Sequence, residues 1–183
     1  MQPKLGVMLL CMSLVYVAQA RATVLPDSCG DDKVKFDVAT KKKQPVPAGP
    51  ATGKVQIVLI ETLDGCVTCG TATTRFGMDG AWVGANKGSS YFTVEVAPGD
   101  HHLCTDWQSD FDFLKQKVGL ISFTAEAGKV YYFEAKVAIV THQNGPGPDS
   151  NLETDRTLAF AQLSDDDGKY RVKVSKLSKS KSQ

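Results

Sequence analysis

The chain has 183 residues, 42% of them hydrophobic and 22% charged, and its 21 Lys and Arg against 20 Asp and Glu leave a formal net charge of +1. This composition excludes collagen, coiled coil and bulk disorder, and the near cancellation of the two signs excludes a nucleic-acid binder that relies on a large positive field. The length suits one domain of about 150 residues with extensions.

Lys4 is the only charge before the apolar run Leu5 to Ala18, which leads into Ala18-Gln19-Ala20 and Ala20-Arg21-Ala22. A basic start, a short apolar centre and small residues at alternate positions read as a secretory signal peptide over residues 1–22, cleaved after Ala20 or Ala22. The run falls short of the about 20 residues of a spanning helix. Cys11 lies inside the run behind Leu9 and Leu10 rather than behind a small residue, so lipid attachment there is not expected. Cleavage after Ala22 leaves 19 basic against 20 acidic residues, a formal −1. The expected location is the periplasm or the extracellular space, with no lipid anchor and no membrane span. Four cysteines then remain, Cys29, Cys66, Cys69 and Cys104. An even number in an exported chain reads as two disulfides, with three pairings open. The preferred pairing joins Cys66 and Cys69 to the distant Cys29 and Cys104, because a bridge between residues three apart constrains the unfolded chain least.

Residues 23–53 read as an N-terminal extension and linker. Val34, Phe36 and Val38 alternate with Lys33, Lys35 and Asp37 as in a short half-buried strand. Lys41-Lys42-Lys43 then leads into a proline-rich stretch through Pro45, Pro47 and Pro50, an extended linker whose basic triplet Asp31, Asp32 and Asp37 offset. From Gly53 the pattern is β. Strands are expected at Lys54–Glu61, Thr71–Met78, Ala81–Val83, Tyr91–Val96, His101–Trp107, Val118–Ala125 and Val130–Val140. Turn signals between them are Asp79-Gly80, Asn86-Lys87-Gly88, Pro98-Gly99-Asp100 and Ala127-Gly128-Lys129. Lys54–Glu61 turns apolar on both sides, as a central strand does. A polar loop over 142–149 is followed by a late hairpin, Leu158–Leu163, a turn at Asp165–Gly168 and a return at Tyr170–Val174. The Lys/Ser stretch Ser175–Gln183 reads as a frayed, disordered tail. Only Gln108–Lys117 has a helical spacing, with Phe111, Leu114 and Val118 on one face. The sum is an all-β chain: a mostly antiparallel β-sandwich over 54–174, immunoglobulin-like or prealbumin-like, with at most one short helix.

Three ordered stretches carry a resemblance. They are Thr73-Thr74-Arg75-Phe76-Gly77-Met78-Asp79-Gly80-Ala81-Trp82-Val83-Gly84-Ala85-Asn86, then Val96-Ala97-Pro98-Gly99-Asp100-His101-His102-Leu103 with Tyr91-Phe92 before it, then Ala125-Glu126-Ala127-Gly128-Lys129-Val130-Tyr131-Tyr132-Phe133. Over about residues 54–140 the chain resembles the bacterial domain of unknown function 2846, in its acidobacterial-type exported form. The resemblance implies a β fold and an exported location and supplies no mechanism. The chain departs from the lipoprotein members in lacking an attachment cysteine. The motifs themselves are explained by turn chemistry, Asp79-Gly80 supplying positive φ and Pro98-Gly99 a preset bend.

Cys66-Val67-Thr68-Cys69 has the spacing of a redox pair, but its flanks Asp64-Gly65 and Gly70-Thr71 read as a loop entering a strand rather than the helix N-terminus that activates a thiolate. A zinc site would need Cys29 and Cys104, or His101 and His102, beside that pair. The former are single and far apart, and adjacent histidines on a strand point to opposite faces. His101 and His102 read as structural rather than acid–base groups. No nucleophile elbow and no phosphate loop is present, and Asp165-Asp166-Asp167-Gly168 lacks calcium-loop spacing. No catalytic residue, metal or cofactor is therefore expected. Trp82, Tyr91 and Trp107, with Tyr132 beside them, are the candidate binding residues if they lie on a face. Trp82, directly after a turn, is the one expected to be most exposed. The expected role is a non-enzymatic binding or structural module, acting through an aromatic patch or by strand addition at an edge, with a partner protein or a cell-envelope glycan as ligand. The alternatives are a thiol–disulfide or metal-dependent enzyme using Cys66 and Cys69 or His101 and His102, and a glycan-binding module.

Overall fold

The computed structural model describes residues 25–42, 47–64, 73–108, 117–144 and 151–183. Among these residues ten strands form two sheets. The six-stranded sheet runs β1 (Phe36–Lys41), β10 (Lys176–Ser182), β5 (Ser90–Val96), β2 (Val55–Asp64), β8 (Val130–Asn144), β9 (Asn151–Leu163). The four-stranded sheet runs β4 (Ala81–Lys87), β3 (Thr73–Met78), β6 (Gly99–Gln108), β7 (Gly119–Ala125). Six strand pairings are antiparallel, while β2 with β8 and β10 with β5 are parallel. The all-β sandwich expected from the pattern is what the chain forms.

β2 shows why its sequence is apolar on both sides. Val55, Ile57 and Leu59 enter the space between the sheets with Phe76, Leu103 and Phe133. Val58 and Ile60 point the other way, into a second cluster with Tyr91, Tyr132 and Val172. That second face is covered by the helix α1 (Asp165–Val174).

Three expectations change here. Leu158–Leu163 is the end of β9, as expected, but the turn and return strand of the late hairpin are α1 instead. Ser164 caps it, accepting from the Asp167 N–H at 3.2 Å, and three aspartates occupy the first turn, where the dipole favours negative charge. Gly168 is a packing residue and not a turn residue: a Cβ there would lie 2.1 Å from Tyr132 Cγ. The Lys/Ser tail is strand β10, antiparallel to β1 along six residue pairs and parallel to β5 at Lys176 and Leu177. Leu177 packs on Tyr91 and Val172, and Ser178 donates to Ser90 at 2.8 Å. The domain therefore extends beyond 54–174, taking in β1 and β10. The polar loop is also shorter, since His142–Asn144 continue β8 and pair with Asn151–Glu153 of β9. The expected helix lies outside the described residues apart from its ends.

Candidate functional site

Cys29 and Cys104 are bonded to each other, with Cα atoms 5.2 Å apart. This corrects the preferred pairing, which gave each of them to Cys66 or Cys69. Sequence separation argued for two long loops. The fold instead lays residues 25–34 over the outer face of the four-stranded sheet, which brings Cys29 onto β6. Cys66 and Cys69 lie outside the described residues.

That outer face is held by Arg75. Its guanidinium forms a buried ion pair with Asp106 on the neighbouring strand and donates to the carbonyls of Asp32 at 3.0 Å and Val34 at 2.7 Å. Burial raises the Asp106 carboxyl, against the lowering by Arg75. Trp82 completes the clamp. Its indole lies with the Arg75 Cζ 4.3 Å from the ring centre, and its Nε1 donates to Asp31 O at 2.7 Å. Gly30 is required beneath it, since a Cβ would come within 2.3 Å of the indole. Trp82 is thus half-buried and committed to the fold, where an exposed ring was expected.

Tyr91 is 2% exposed and Trp107 3%, and Tyr132 is buried as well. None forms a surface patch. Tyr91 and Tyr132 face α1, and Trp107 packs on Val137 at one end of the core. Their sequence neighbours are consistent with either face of a strand, and only the placement of α1 and the opposing sheet decides between them.

His101 and His102 take opposite sides, as strand alternation requires. His101 is sandwiched between two acceptors, Asp79 Oδ2 at 2.6 Å from Nδ1 and Ala97 O at 2.9 Å from Nε2. Burial lowers its basicity, but the bonds to Asp79 and Ala97 and the charges of Asp79 and Asp100 outweigh this and raise it. Both nitrogens being occupied, the ring ties the Asp79-Gly80 turn to β6. His102 is exposed and meets Ser122 Oγ at 2.8 Å. Among the described residues no carboxylate is hydrogen-bonded to its ring. Among the described residues no group of three or more His, Cys, Asp or Glu is placed to hold a metal.

The edges of the two sheets differ in how they are covered. β4 is closed by β10, Ser180 Oγ accepting from the Ala85 N–H at 3.1 Å. β1 is closed at Phe36 by the Gln108 amide, which accepts from its N–H at 2.6 Å and donates to its carbonyl at 3.0 Å. β7 pairs with β6 over seven residues without a bulge, and no strand lies on its other side among the described residues. Its sequence GLISFTA has no charge and no proline, and Leu120 is 55% exposed.

A feature absent from the sequence expectations lies between the sheets. Glu61 is fully buried, and burial pushes its carboxyl up to about 8 despite the opposing influence of Thr74. Thr74 lies against it, and Asn86 and Trp107 flank Thr74 on either side across β4, β3 and β6. The signal available in the sequence was a glutamate ending an otherwise apolar central strand.

No family model matches the chain, and comparison with curated proteins and with solved structures finds no significant match.

Proposed function

We infer that the chain is an exported, non-enzymatic β-sandwich module of the periplasm or cell surface, of the kind resembled in domain of unknown function 2846, and that it binds a partner protein by strand addition along β7. The observation that carries this reading is the asymmetry of the edges. Native β proteins blunt free edges with charges, Pro or bulges; β4 is bonded to Ser180, β1 is closed at Phe36 and carries Lys41, and β9 carries Glu153, Asp155 and Arg156, while β7 has none of these devices and presents Leu120. The Cys29–Cys104 bond supports an oxidising compartment. No helix among the described residues is long and apolar enough to cross a membrane. An aromatic platform for glycan stacking has lost its residues, since Tyr91 and Trp107 are buried.

The test places a photo-crosslinking residue at Leu120, Ser122 or Thr124 in turn, in the exporting cell. Strand addition yields one adduct of the same mass from these alternate positions, and Leu120→Lys abolishes the adduct formed from Ser122 and Thr124. No adduct, or adducts indifferent to the added charge, removes β7 as the docking edge.

A second reading follows from the disulfide. With Cys29 bonded to Cys104, Cys66 and Cys69 have only each other as cysteine partners among residues 23–183. This keeps a thiol–disulfide activity in view. Intact mass of the exported protein with and without alkylation decides it: two alkylated thiols favour the redox reading, and none after reduction-free unfolding favours a closed structural bond.

A further inference from the structure

We propose that Glu61, Thr74, Asn86 and Trp107 form an internal site for one small neutral hydrogen-bonding molecule, in the first instance a single tightly held water, enclosed between the two sheets. Glu61, Thr74 and Asn86 have no exposure, and Trp107 has 3%. By strict geometry both carboxyl oxygens of Glu61, the Thr74 hydroxyl, Asn86 Oδ1 and the Trp107 indole N–H meet no hydrogen-bond partner among the described residues, although Thr74 lies close enough to Glu61 to hold its carboxyl down. A buried polar group without a partner loses its hydration and gains nothing in return, so unpaired atoms on neighbouring side chains call for a partner.

Register brings them together. Thr74 stands directly opposite Asn86 on one side and Trp107 on the other, a cross-strand spacing of about 5 Å between Cβ atoms. Glu61 follows Val55, Ile57 and Leu59 on the inward face of β2 and meets Thr74 from the opposite sheet. Asn86 is fixed toward β2 by its Nδ2, which donates to Leu59 O at 3.0 Å, while its Oδ1 is buried and left unpaired. Arg75, next to Thr74, points to the outer face and spends its charge on Asp106, so no cation reaches Glu61 from β3.

The donor set selects the occupant. A bound cation wants oxygen acceptors alone, and the Trp107 N–H is a donor. An anion would meet the Glu61 carboxyl and the Asn86 carbonyl. A molecule that both accepts and donates completes the cluster: it accepts from Trp107 and from the Thr74 hydroxyl and donates to Asn86 and to one carboxyl oxygen, while the protonated carboxyl oxygen of Glu61 donates to Thr74 Oγ1. Water in polar protein interiors makes about three such bonds.

The test is a crystal structure of the full exported chain at better than about 1.5 Å, with water-selective nuclear Overhauser measurements on the Trp107 indole proton. The expected result is one density peak within hydrogen-bond distance of at least three of the four side chains, and a cross-peak between the indole proton and a slowly exchanging water. Thr74→Val, which keeps the side-chain shape, weakens or abolishes that cross-peak while the sandwich stays folded. A dry contact in which the four side chains bond directly to one another, with no cross-peak, overturns the proposal. A peak coordinated only by oxygens at 2.3–2.6 Å, the range of calcium ligands, overturns it in favour of a cation.

Discussion

Glu61 is the residue at which sequence context and tertiary context disagree most. At the end of a strand a glutamate reads as a solvated terminus. Here it faces the core and is kept neutral, with its carboxyl raised by burial from 4.5 to about 8. The sign follows from proton binding. Below 4.5 folded and unfolded chains both hold the proton; between 4.5 and about 8 the folded chain holds it and the unfolded chain has lost it, so stability falls as pH rises. Glu61→Gln removes this dependence. Its stability relative to the natural chain rises across that window toward a ceiling of about 5 kcal/mol, from 1.36 kcal/mol per unit. Urea midpoints at pH 4, 6 and 8 check this, and an equal difference at all three refutes a neutral Glu61. The aromatic candidates teach the complementary point: Trp82, Tyr91 and Trp107 were visible as large side chains on strands, but alternation alone does not say which face of a strand is covered.

At the scale of the element, α1 was legible and was misread. Ser164 followed by Asp167 is a capping pattern, and the aspartates suit a first turn. Gly168 made the same residues look like a hairpin. Its place is set by the approach of the helix to Tyr132, which no local rule contains. Gly168→Ala should gain about 1 kcal/mol from helix propensity alone. The 2.1 Å approach to Tyr132 Cγ reverses the sign, and a net loss of about 2 kcal/mol is expected from overpacking. A midpoint that rises in denaturant would refute the contact. The end of the chain makes a parallel case. Alternating Lys and Ser lacks the apolar content of a strand, yet β10 fills the gap between β1 and β5, with Ser178 and Ser180 inward. Deleting residues 175–183 should lower stability by about 2 kcal/mol or more, because it removes the partly buried Leu177 from the cluster under α1 together with the strand that pairs with β1. A frayed tail would leave the thermal midpoint unchanged.

For the whole molecule, the Cys29–Cys104 bond closes a loop of 75 residues. Restricting the unfolded chain over that length is worth about 4 kcal/mol, so the double variant Cys29→Ser, Cys104→Ser should lose about that amount, read from urea unfolding of the exported protein. A loss near zero would mean that Arg75 and Trp82 hold residues 25–34 without the bond. The class of fold, most strand positions and the Asp79-Gly80 turn are readable from the chain alone, because alternation, the apolar length of β2 and turn chemistry are local properties. The disulfide pairing, the strand role of the tail, the burial of Tyr91 and Trp107 and the enclosure of Glu61 are set by packing across the fold. Each depends on which distant segment covers a given face, and that information resides in packing between elements rather than in any one of them.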